Sequence, residues 1–248
     1  MNVIITGASK GFGKSIAKIF ASHGHNIYIC ARSTDKLYAV QKELQSQYPG
    51  AGVEVMPCDL SLPEEAKAFG KWFLSFNVAP DVLVNNAGLF DPGSVYDEPE
   101  GTLERMIAVN LYSAYHLTRT LIPEMTTRRH GHIFNMCSIA SLKAYPNGGA
   151  YSISKFALAG FSKNLREEMK PFGVKVTAVY PGAAYTDSWA GSGVDPSRIM
   201  EADDIARMIY TASLLSPQAC VEDIVLRPQL GDLERYVNDN FSYLFVRQ

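Results

Sequence analysis

Short apolar runs alternate along the chain with longer segments whose apolar residues recur at helical spacing. Apolar runs rich in β-branched residues predict buried strands, and recurrence at i, i+3 and i+4 predicts amphipathic helices. The predicted strands are Asn2–Thr6, Asn26–Ala31, Val53–Met56, Val82–Val84, His132–Cys137, Val174–Tyr180 and Glu222–Leu226. One predicted helix follows Gly13, another begins at the capping residue Ser61, and a third carries Tyr151 and ends at about Lys170. The other predicted helices cover Thr34–Gln47, Pro99–Met125, Ala202–Leu214 and Asp232–Val237.

Strands that alternate with helices predict an α/β fold, a doubly wound and mainly parallel seven-stranded sheet with helices on both faces. No segment has the composition of an interdomain linker, so residues 1–248 are expected to form a single domain. In such a sheet the ligand binds outside the carboxyl ends of the strands. Residues that follow the predicted strands are therefore the first candidates for a binding site.

The composition argues against several classes of function. The net charge of −2 is spread along all 248 residues, without a basic face for nucleic acid or an acidic tail. No apolar run reaches membrane-spanning length, and the first residues lead into a strand without the features of a secretory signal. The four cysteines follow no metal or disulfide spacing. We expect a cytoplasmic protein with no metal, nucleic-acid partner or membrane contact.

A glycine-rich segment, Gly7-Ala-Ser-Lys-Gly-Phe-Gly13, joins the first predicted strand to the first predicted helix. Glycines at such a turn let the backbone approach a diphosphate, which accepts hydrogen bonds from N–H groups at the helix start. The spacing differs from Gly-x-Gly-x-x-Gly in its first interval, and a tight turn without ligand is the alternative. Its N-terminal position favours dinucleotide binding. The candidate contacts are Thr6, Gly7, Ser9, Lys10, Gly11, Phe12 and Gly13.

The second predicted strand is followed by Arg32 and Ser33. In NAD-binding folds an acid near this position accepts a hydrogen bond from the adenosine ribose 2′-hydroxyl, and it would repel a 2′-phosphate. The nearest acid here, Asp35, falls at the start of the next helix and suits its N-terminal turn. A guanidinium and a hydroxyl bind phosphate, and Lys10 adds a second positive charge. The sequence therefore predicts NADP(H) as the cofactor.

Further strand ends carry small or polar residues. Asp59-Leu60 follows the third strand, and Asp59 is either a partner of the adenine amine or a helix cap. Asn85-Asn86-Ala87-Gly88 follows the fourth strand and suits a backbone close to a bound ring, although Asn-Asn is also a common turn. Ser138 follows the fifth strand, and Pro181-Gly182 follows the sixth. These positions meet at one edge of the predicted sheet.

Asn110 lies among apolar residues inside the predicted helix Pro99–Met125. Its side chain competes with the backbone for hydrogen bonds. An asparagine at this position therefore predicts either a buried amide with its hydrogen bonds satisfied or a kink that exposes a backbone carbonyl. Both alternatives place a polar group in the middle of this helix.

Tyr151 and Lys155 stand four residues apart and therefore lie on one face of a helix. A free tyrosine has a pKa of about 10 and exchanges protons poorly at neutral pH. A neighbouring ammonium favours the phenolate, and a pKa lower by roughly three units corresponds to about 4 kcal/mol. The pair predicts a proton donor, although such a pair is also found as a half-exposed aromatic beside a solvated charge.

Two segments near the C-terminus have distinct compositions. Residues 183–200 contain Ala184, Thr186 and Trp189 and are rich in Gly, Ser and Asp, which predicts a mobile substrate loop. The segment from about residue 233 to residue 248 is unusually apolar. We expect this tail to pack on the same subunit or on a neighbour.

Together these pieces resemble the short-chain dehydrogenase/reductase family over about the first 190 residues. The matching pieces are Thr6-Gly-Ala-Ser-Lys-Gly-Phe-Gly13, Asp59-Leu60, Asn85-Asn-Ala-Gly88, Asn110, Ser138, Tyr151-Ser-Ile-Ser-Lys155 and Pro181-Gly-Ala-Ala-Tyr-Thr186. The resemblance implies a Rossmann-type fold and a homodimer or homotetramer. It also implies a catalytic tetrad, adenine contact at Asp59 and contacts near the nicotinamide. The tetrad would be Asn110, Ser138, Tyr151 and Lys155, and the nicotinamide-side contacts would be Asn86, Gly88 and Pro181–Thr186.

The implied reaction is reduction of a ketone, aldehyde or diketone. The carbonyl carbon accepts hydride from NADPH while Tyr151 protonates the oxygen as general acid. Ser138 bonds that oxygen, and Lys155 lowers the pKa of Tyr151 and bonds the nicotinamide ribose. Asn110 positions a water that links Lys155 to solvent. At Ala184 the family commonly has a larger aliphatic residue, so a roomier pocket for the nicotinamide ring is expected.

The substrate is less defined by the sequence. Tyr185-Thr-Asp-Ser-Trp189 and the run Val221–Asp232 are similar to bacterial sepiapterin-reductase-like members, in which a Trp and late acids shape a pterin pocket. Trp189 and Asp232 are therefore candidate substrate contacts, and their alternatives are a lid aromatic and a helix cap. A sensor or scaffold that binds NADP(H) without chemistry is the rival class. The complete tetrad argues against it, because a pure binder needs no Ser138–Tyr151 pair.

Overall fold

The computed structural model describes residues 1–186 and 193–233, together with the backbone of residues 235–237 and 243–245. Strands and helices alternate through most of this part of the chain. The strands are β1 (Asn2–Thr6), β2 (Asn26–Ala31), β3 (Val53–Pro57), β4 (Val82–Asn85), β5 (His132–Met136), β6 (Lys175–Pro181), β7 (Ala184–Tyr185), β8 (Met200–Glu201), β9 (Asp223–Leu226), β10 (Arg235–Val237) and β11 (Tyr243–Phe245). The helices are α1 (Gly11–Ser22), α2 (Thr34–Gln47), α3 (Pro63–Leu74), α4 (Thr102–Ile107), α5 (Ser113–Arg128), α6 (Gly149–Met169) and α7 (Ala202–Ser213).

Seven strands form one sheet in the order β3-β2-β1-β4-β5-β6-β9, and every neighbouring pair is parallel. The chain moves outward from β1 to β3 and then returns to place β4 on the other side of β1. In such a sheet a crevice opens at this reversal, outside the carboxyl ends of the strands. The predicted α/β fold is confirmed, and most predicted strand ends agree with the structure within one or two residues.

The core has one layer on each face of the sheet because successive residues of β1 point in opposite directions. Val3 and Ile5 pack with α1, α2 and α7 on one face, whereas Ile4 packs with α3, α5 and α6 on the other. All three side chains are fully buried. Burying such a side chain contributes about 1.5–3 kcal/mol. The two layers together hold the strand ends that form the site.

The predicted helix Pro99–Met125 is interrupted in the structure. The helix begins at Thr102, after Gly101 in a left-handed conformation, and a π-helical turn at 108–112 separates α4 from α5. The buried side chain of Asn110 lies in this turn, where its Oδ1 accepts a hydrogen bond from Leu89 N at 2.7 Å. Its Nδ2 donates to Leu89 O at 3.0 Å and to Ser154 Oγ at 2.8 Å. The predicted satisfied buried amide is observed, and it lies in a turn where the helix is irregular.

Two further local predictions are wrong. The predicted helix Asp232–Val237 is not formed, because residues 235–237 pair as a strand with Tyr243–Phe245. The residue that caps α3 is Leu62 rather than Ser61, and Pro63 takes the first helical position. Ser61 N instead donates to Asp59 Oδ1 at 3.0 Å, which closes a turn before the helix.

No helix in residues 1–186 and 193–233 is long and apolar enough to cross a membrane. The four cysteines are unbonded to one another, and three of them, Cys30, Cys58 and Cys137, are buried as small core side chains. No cluster of metal-ligating side chains is found in the same part of the chain.

Candidate active site

A cleft of about 630 Å³ runs along the carboxyl ends of β1 to β6. It brings together most of the residues that the sequence predicts as cofactor contacts. Those lining it are Gly7, Ser9, Lys10, Gly11, Phe12, Arg32, Ser33, Asp59, Leu60, Asn86, Ala87, Gly88, Tyr151, Lys155, Pro181 and Thr186. Its length therefore extends from the end of β2 to the face of α6.

The glycine turn and the end of β4 are joined behind the wall of this cleft. Thr6 Oγ1 accepts hydrogen bonds from Asn86 N and Ala87 N, both at 2.9 Å. Asn86 Nδ2 donates in return to Thr6 O at 2.8 Å. A Cβ on Gly13 would lie 2.6 Å from both Asn86 Nδ2 and Gly7 O, so a side chain there would force these groups apart. Thr6 and Gly13 shape the turn and are not part of the cleft lining.

Two positively charged side chains lie at the β2 end of the cleft. Arg32 and Ser33 follow β2, and Lys36 lies in the first turn of α2 and also lines the cleft. All three side chains are exposed. Lys36 was missed in the sequence analysis, although its spacing of three residues from Ser33 places the two on one face of a helix start. Asp35 lies in the first turn of α2, as predicted, and does not line the cleft.

Asp59 lies in the cleft wall between Cys58 and Leu60. Its Oδ1 accepts from Ser61 N, and its own N–H donates to Glu65 Oε2 at 2.5 Å. The Asp59 carboxylate therefore closes the turn after β3, and it is not the cap of α3. Contact with adenine remains a prediction.

Tyr151 and Lys155 lie on the inner face of α6, as their spacing predicts. The Lys155 ammonium is 5.9 Å from the centroid of the Tyr151 ring and donates a hydrogen bond to Met136 O at 2.7 Å. Only 5% of Lys155 is exposed, and burial lowers the pKa of its ammonium to about 8. The Phe90 ring packs edge-on against Tyr151, with 4.8 Å between centroids. Tyr151 is thus held between a buried cation and an aromatic wall.

Asn110 and Lys155 approach each other behind Gly88. A Cβ on Gly88 would lie 3.3 Å from Asn110 Oδ1 and 3.4 Å from Lys155 Nζ. Asn110 itself does not line the cleft, and its amide fixes the backbone of Leu89. The structure therefore gives Asn110 a clear role in holding the segment after β4.

A second cavity of about 550 Å³ adjoins the cleft. The residues that line both the cleft and this cavity are Phe12, Phe90, Cys137, Tyr151, Pro181 and Thr186. It holds four further predicted site residues: Ser138, Gly182, Ala184 and Asp232. Trp189 lies outside the described residues.

Ser138 Oγ accepts a hydrogen bond from Ala140 N at 3.1 Å. This bond orients the hydroxyl and leaves its proton able to donate to a bound oxygen.

Asp232 forms an ion pair with Arg227, which also lines the second cavity. No helix begins at Asp232, so its interpretation as a helix cap is wrong. Arg227 and the aromatic residues Phe90 and Tyr145 were missed in the sequence analysis. They follow no motif, and only the packing of distant segments brings them to one cavity.

A glycine turn at the first strand of a parallel sheet, beside a long cleft that ends at a Tyr–Lys pair, is the arrangement of a nucleotide-dependent oxidoreductase. Residues 1–195 match the family model described as short chain dehydrogenase. The chain therefore belongs to the short-chain dehydrogenase/reductase family of oxidoreductases.

Known proteins of similar sequence and structure agree with this assignment. The chain is 30% identical over 240 residues to a protein named sepiapterin reductase from Chlorobaculum tepidum, covering 94% of this chain and 98% of the relative. It resembles a metagenomic short-chain oxidoreductase in complex with NADP, with a TM-score of 0.81 and 32% identity over 92% of this chain and 97% of the other. It also resembles an alcohol dehydrogenase from Thermococcus sibiricus complexed with 5-hydroxy-NADP, with a TM-score of 0.85 and 29% identity over 94% and 98% of the two chains.

Proposed function

We propose that the protein is an NADPH-dependent carbonyl reductase in which Tyr151 is the general acid. The observation that carries the proposal is the position of Tyr151 where the two cavities meet. A cofactor in the long cleft and a carbonyl compound in the second cavity would both reach this side chain. The Lys155 ammonium beside it favours the phenolate that remains after proton transfer.

The shape and charge of the long cleft suit NADP(H). Gly7 and Gly11 line the cleft without side chains, so the glycine turn can lie close to a diphosphate. Arg32, Ser33 and Lys36 supply two cations and a hydroxyl for a 2′-phosphate. The solved relatives with bound NADP or 5-hydroxy-NADP support the same choice. When bound, the cofactor supplies the hydride.

The chain itself handles the proton and the orientation of the carbonyl group. Ser138 donates a hydrogen bond to the carbonyl oxygen, since its own oxygen is held by Ala140 N. Tyr151 donates its proton to the same oxygen. Lys155 stabilises the resulting phenolate and would bond the ribose of a bound cofactor. Asn110 holds the backbone next to Lys155. Water linking Lys155 to solvent completes the proton supply in this proposal.

The reaction is tested by NADPH oxidation against a panel of ketones, aldehydes, diketones and sepiapterin. We expect at least one group of carbonyl compounds to be reduced, with a stoichiometric loss of NADPH. Tight NADPH binding without oxidation by any member of the panel would favour the sensor or scaffold instead. The same panel, run with NADH, establishes the cofactor preference of the unaltered protein.

A sepiapterin-type pterin reductase is the second candidate. The relative named sepiapterin reductase matches nearly the whole chain, and Phe12, Phe90 and Tyr145 give the second cavity aromatic walls that suit a planar ring. Reduction of sepiapterin with a much higher kcat/KM than simple ketones would favour this candidate. The reverse order would favour the general carbonyl reductase.

Arg32→Asp is expected to lower kcat/KM for NADPH by roughly 10²-fold and to move the preference towards NADH. The variant removes a charge-assisted bond, worth about 1.5–3 kcal/mol, and adds a carboxylate that repels the 2′-phosphate. Steady-state kinetics with both cofactors measure the change. Lys42→Asp is the matched control, because it makes the same change of charge on an exposed residue of α2 outside the cleft lining. A wild-type protein that already prefers NADH would contradict this account.

We also infer a homo-oligomer, a dimer or a tetramer. The adjacent helices α4 and α6 expose the apolar side chains of Leu103, Ile153 and Phe156, which are 37%, 42% and 44% exposed. A second copy would cover them and remove their apolar surface from water.

A further inference from the structure

The first turn of α6 carries Tyr151 but has no capping side chain of its own. The residue at its cap position is Gly148, and the first N–H groups of a helix have no acceptor within it. Glu98, 52 residues earlier in the chain, supplies an acceptor: its Oε2 accepts a hydrogen bond from Ala150 N at 3.1 Å. A distant carboxylate thus takes the place of a local cap.

The segment that carries Glu98 is fixed to the residues that lead into α6. Gly93 N donates to Asn147 O at 3.2 Å, and Ser94 Oγ donates to Asn147 Oδ1. Glu98 N donates to Ser94 O at 2.9 Å, which folds the segment back on itself. We call residues 93–98 with these bonds the anchor segment.

Close packing between the anchor segment and α6 requires a glycine at position 149. Gly149 has a φ of +36°, and a Cβ there would lie 2.3 Å from Gly93 O and 2.6 Å from Glu98 Oε2. Asn147, two residues earlier, also has a positive φ, of 60°. Both backbone conformations are costly for most residues. Two features therefore specify the contact between the anchor segment and α6. One is the Glu98 carboxylate, and the other is the backbone at position 149, which must be glycine.

We propose that Glu98 is a positioning residue for the reaction, which holds the Tyr151 side chain in place by capping α6 from the anchor segment. Tyr151 is the third residue of α6, immediately after the capped Ala150. Glu98 lines neither cavity in the described part of the chain, so it acts through the helix and not by touching a substrate. Its negative charge also suits the positive end of the helix dipole. The inference rests on the proposed function, in which Tyr151 donates the proton.

The first test compares kcat of Glu98→Ala, Glu98→Gln and the wild type. Glu98→Ala removes the acceptor and frees the first turn, so kcat is expected to fall about tenfold while KM and the Kd for NADPH change less than about threefold. Glu98→Gln keeps an amide oxygen at the same distance along the side chain and is expected to restore most of kcat. The control is Glu100→Ala, since Glu100 is exposed and makes no hydrogen bond or ion pair with the other described residues. Equal losses in Glu98→Ala and Glu98→Gln would overturn the capping role.

The second test does not depend on activity. Hydrogen exchange of the backbone amides at 149–151 is expected to speed up in Glu98→Ala and to stay close to wild type in Glu98→Gln. Unchanged exchange in Glu98→Ala would overturn the inference even if the carbonyl reductase activity is established. If the panel shows no activity but exchange follows this order, the proposed function fails and the cap stands.

A third variant covers the case in which Glu98→Ala does not fold. Glu98→Asp shortens the side chain by one methylene, so its carboxylate cannot reach Ala150 N in the same geometry. We expect its kcat to lie below that of Glu98→Gln, because the shorter carboxylate caps the first turn less well. Full activity in Glu98→Asp, with unchanged exchange at 149–151, would also contradict the positioning role.

Discussion

Tyr151→Phe is expected to lower kcat for carbonyl reduction by about 10²–10⁴-fold, the usual contribution of a positioned general acid. The variant removes only the hydroxyl. The ring keeps its edge-on contact with Phe90 at 4.8 Å and its place near the Lys155 ammonium, so the shape of the cleft is preserved. The Kd for NADPH should therefore change by less than about threefold. Steady-state kinetics and a fluorescence titration with NADPH measure the two quantities.

The matched control for this variant is Tyr38→Phe. It deletes the same atom from a half-exposed tyrosine of α2 that lines neither cavity. Its kcat and its Kd for NADPH should equal those of the wild type. Wild-type turnover by Tyr151→Phe would remove Tyr151 from the mechanism, whatever the substrate is.

Lys155→Met is expected to abolish most activity and, at the same time, to make the cofactor-free protein more stable. Burial lowers the pKa of Lys155 from 10.5 to about 8, so at neutral pH the fold holds a charge at a cost of about 3 kcal/mol. Methionine has a similar length and no charge. Because the bond to Met136 O is also lost, a net gain of about 1–2 kcal/mol in the free energy of unfolding is expected at pH 7.

The difference in the free energy of unfolding between the wild type and Lys155→Met should change with pH in one direction only. The pKa of Lys155 is lower in the folded than in the unfolded protein, so the unfolded chain binds more protons at this group between about pH 8 and 10.5. The free energy of unfolding of the wild type should therefore rise with pH relative to Lys155→Met across this window, and the difference should be constant below it. Urea unfolding of both proteins at neutral and alkaline pH measures it, with the exposed Lys163→Met as control. A difference that stays flat through the window would contradict a buried charge.

The sheet could be predicted from the sequence because its central strands are buried on both faces. The runs Val3–Ile5 and Ile27–Ala31 are continuous in apolar residues, which is typical of buried parallel strands. Since the carboxyl ends of parallel strands share one edge, the sequence alone places residues such as Arg32 and Asn86 in one cleft.

Long-range contacts account for what the sequence did not reveal. Glu98 and Ala150 are separated by 52 residues, and nothing near Glu98 indicates that its carboxylate caps another helix. The π-helical turn around Asn110 depends on the backbone of Leu89, which is not a neighbour in the chain. The strand at 235–237 replaces a predicted helix because pairing with residues 243–245 decides its conformation.

The order of the strands also bears on how the protein can change by mutation. The segment after β2 carries the charges proposed to select the cofactor, whereas the proposed proton donor lies on α6, the helix that follows β5. The order β2-β1-β4-β5 puts three strand spacings, roughly 14 Å, between the two strands. Substitutions that far apart and without shared partners have nearly additive effects. Cofactor preference and chemistry can therefore evolve separately in this fold, each without undoing the other.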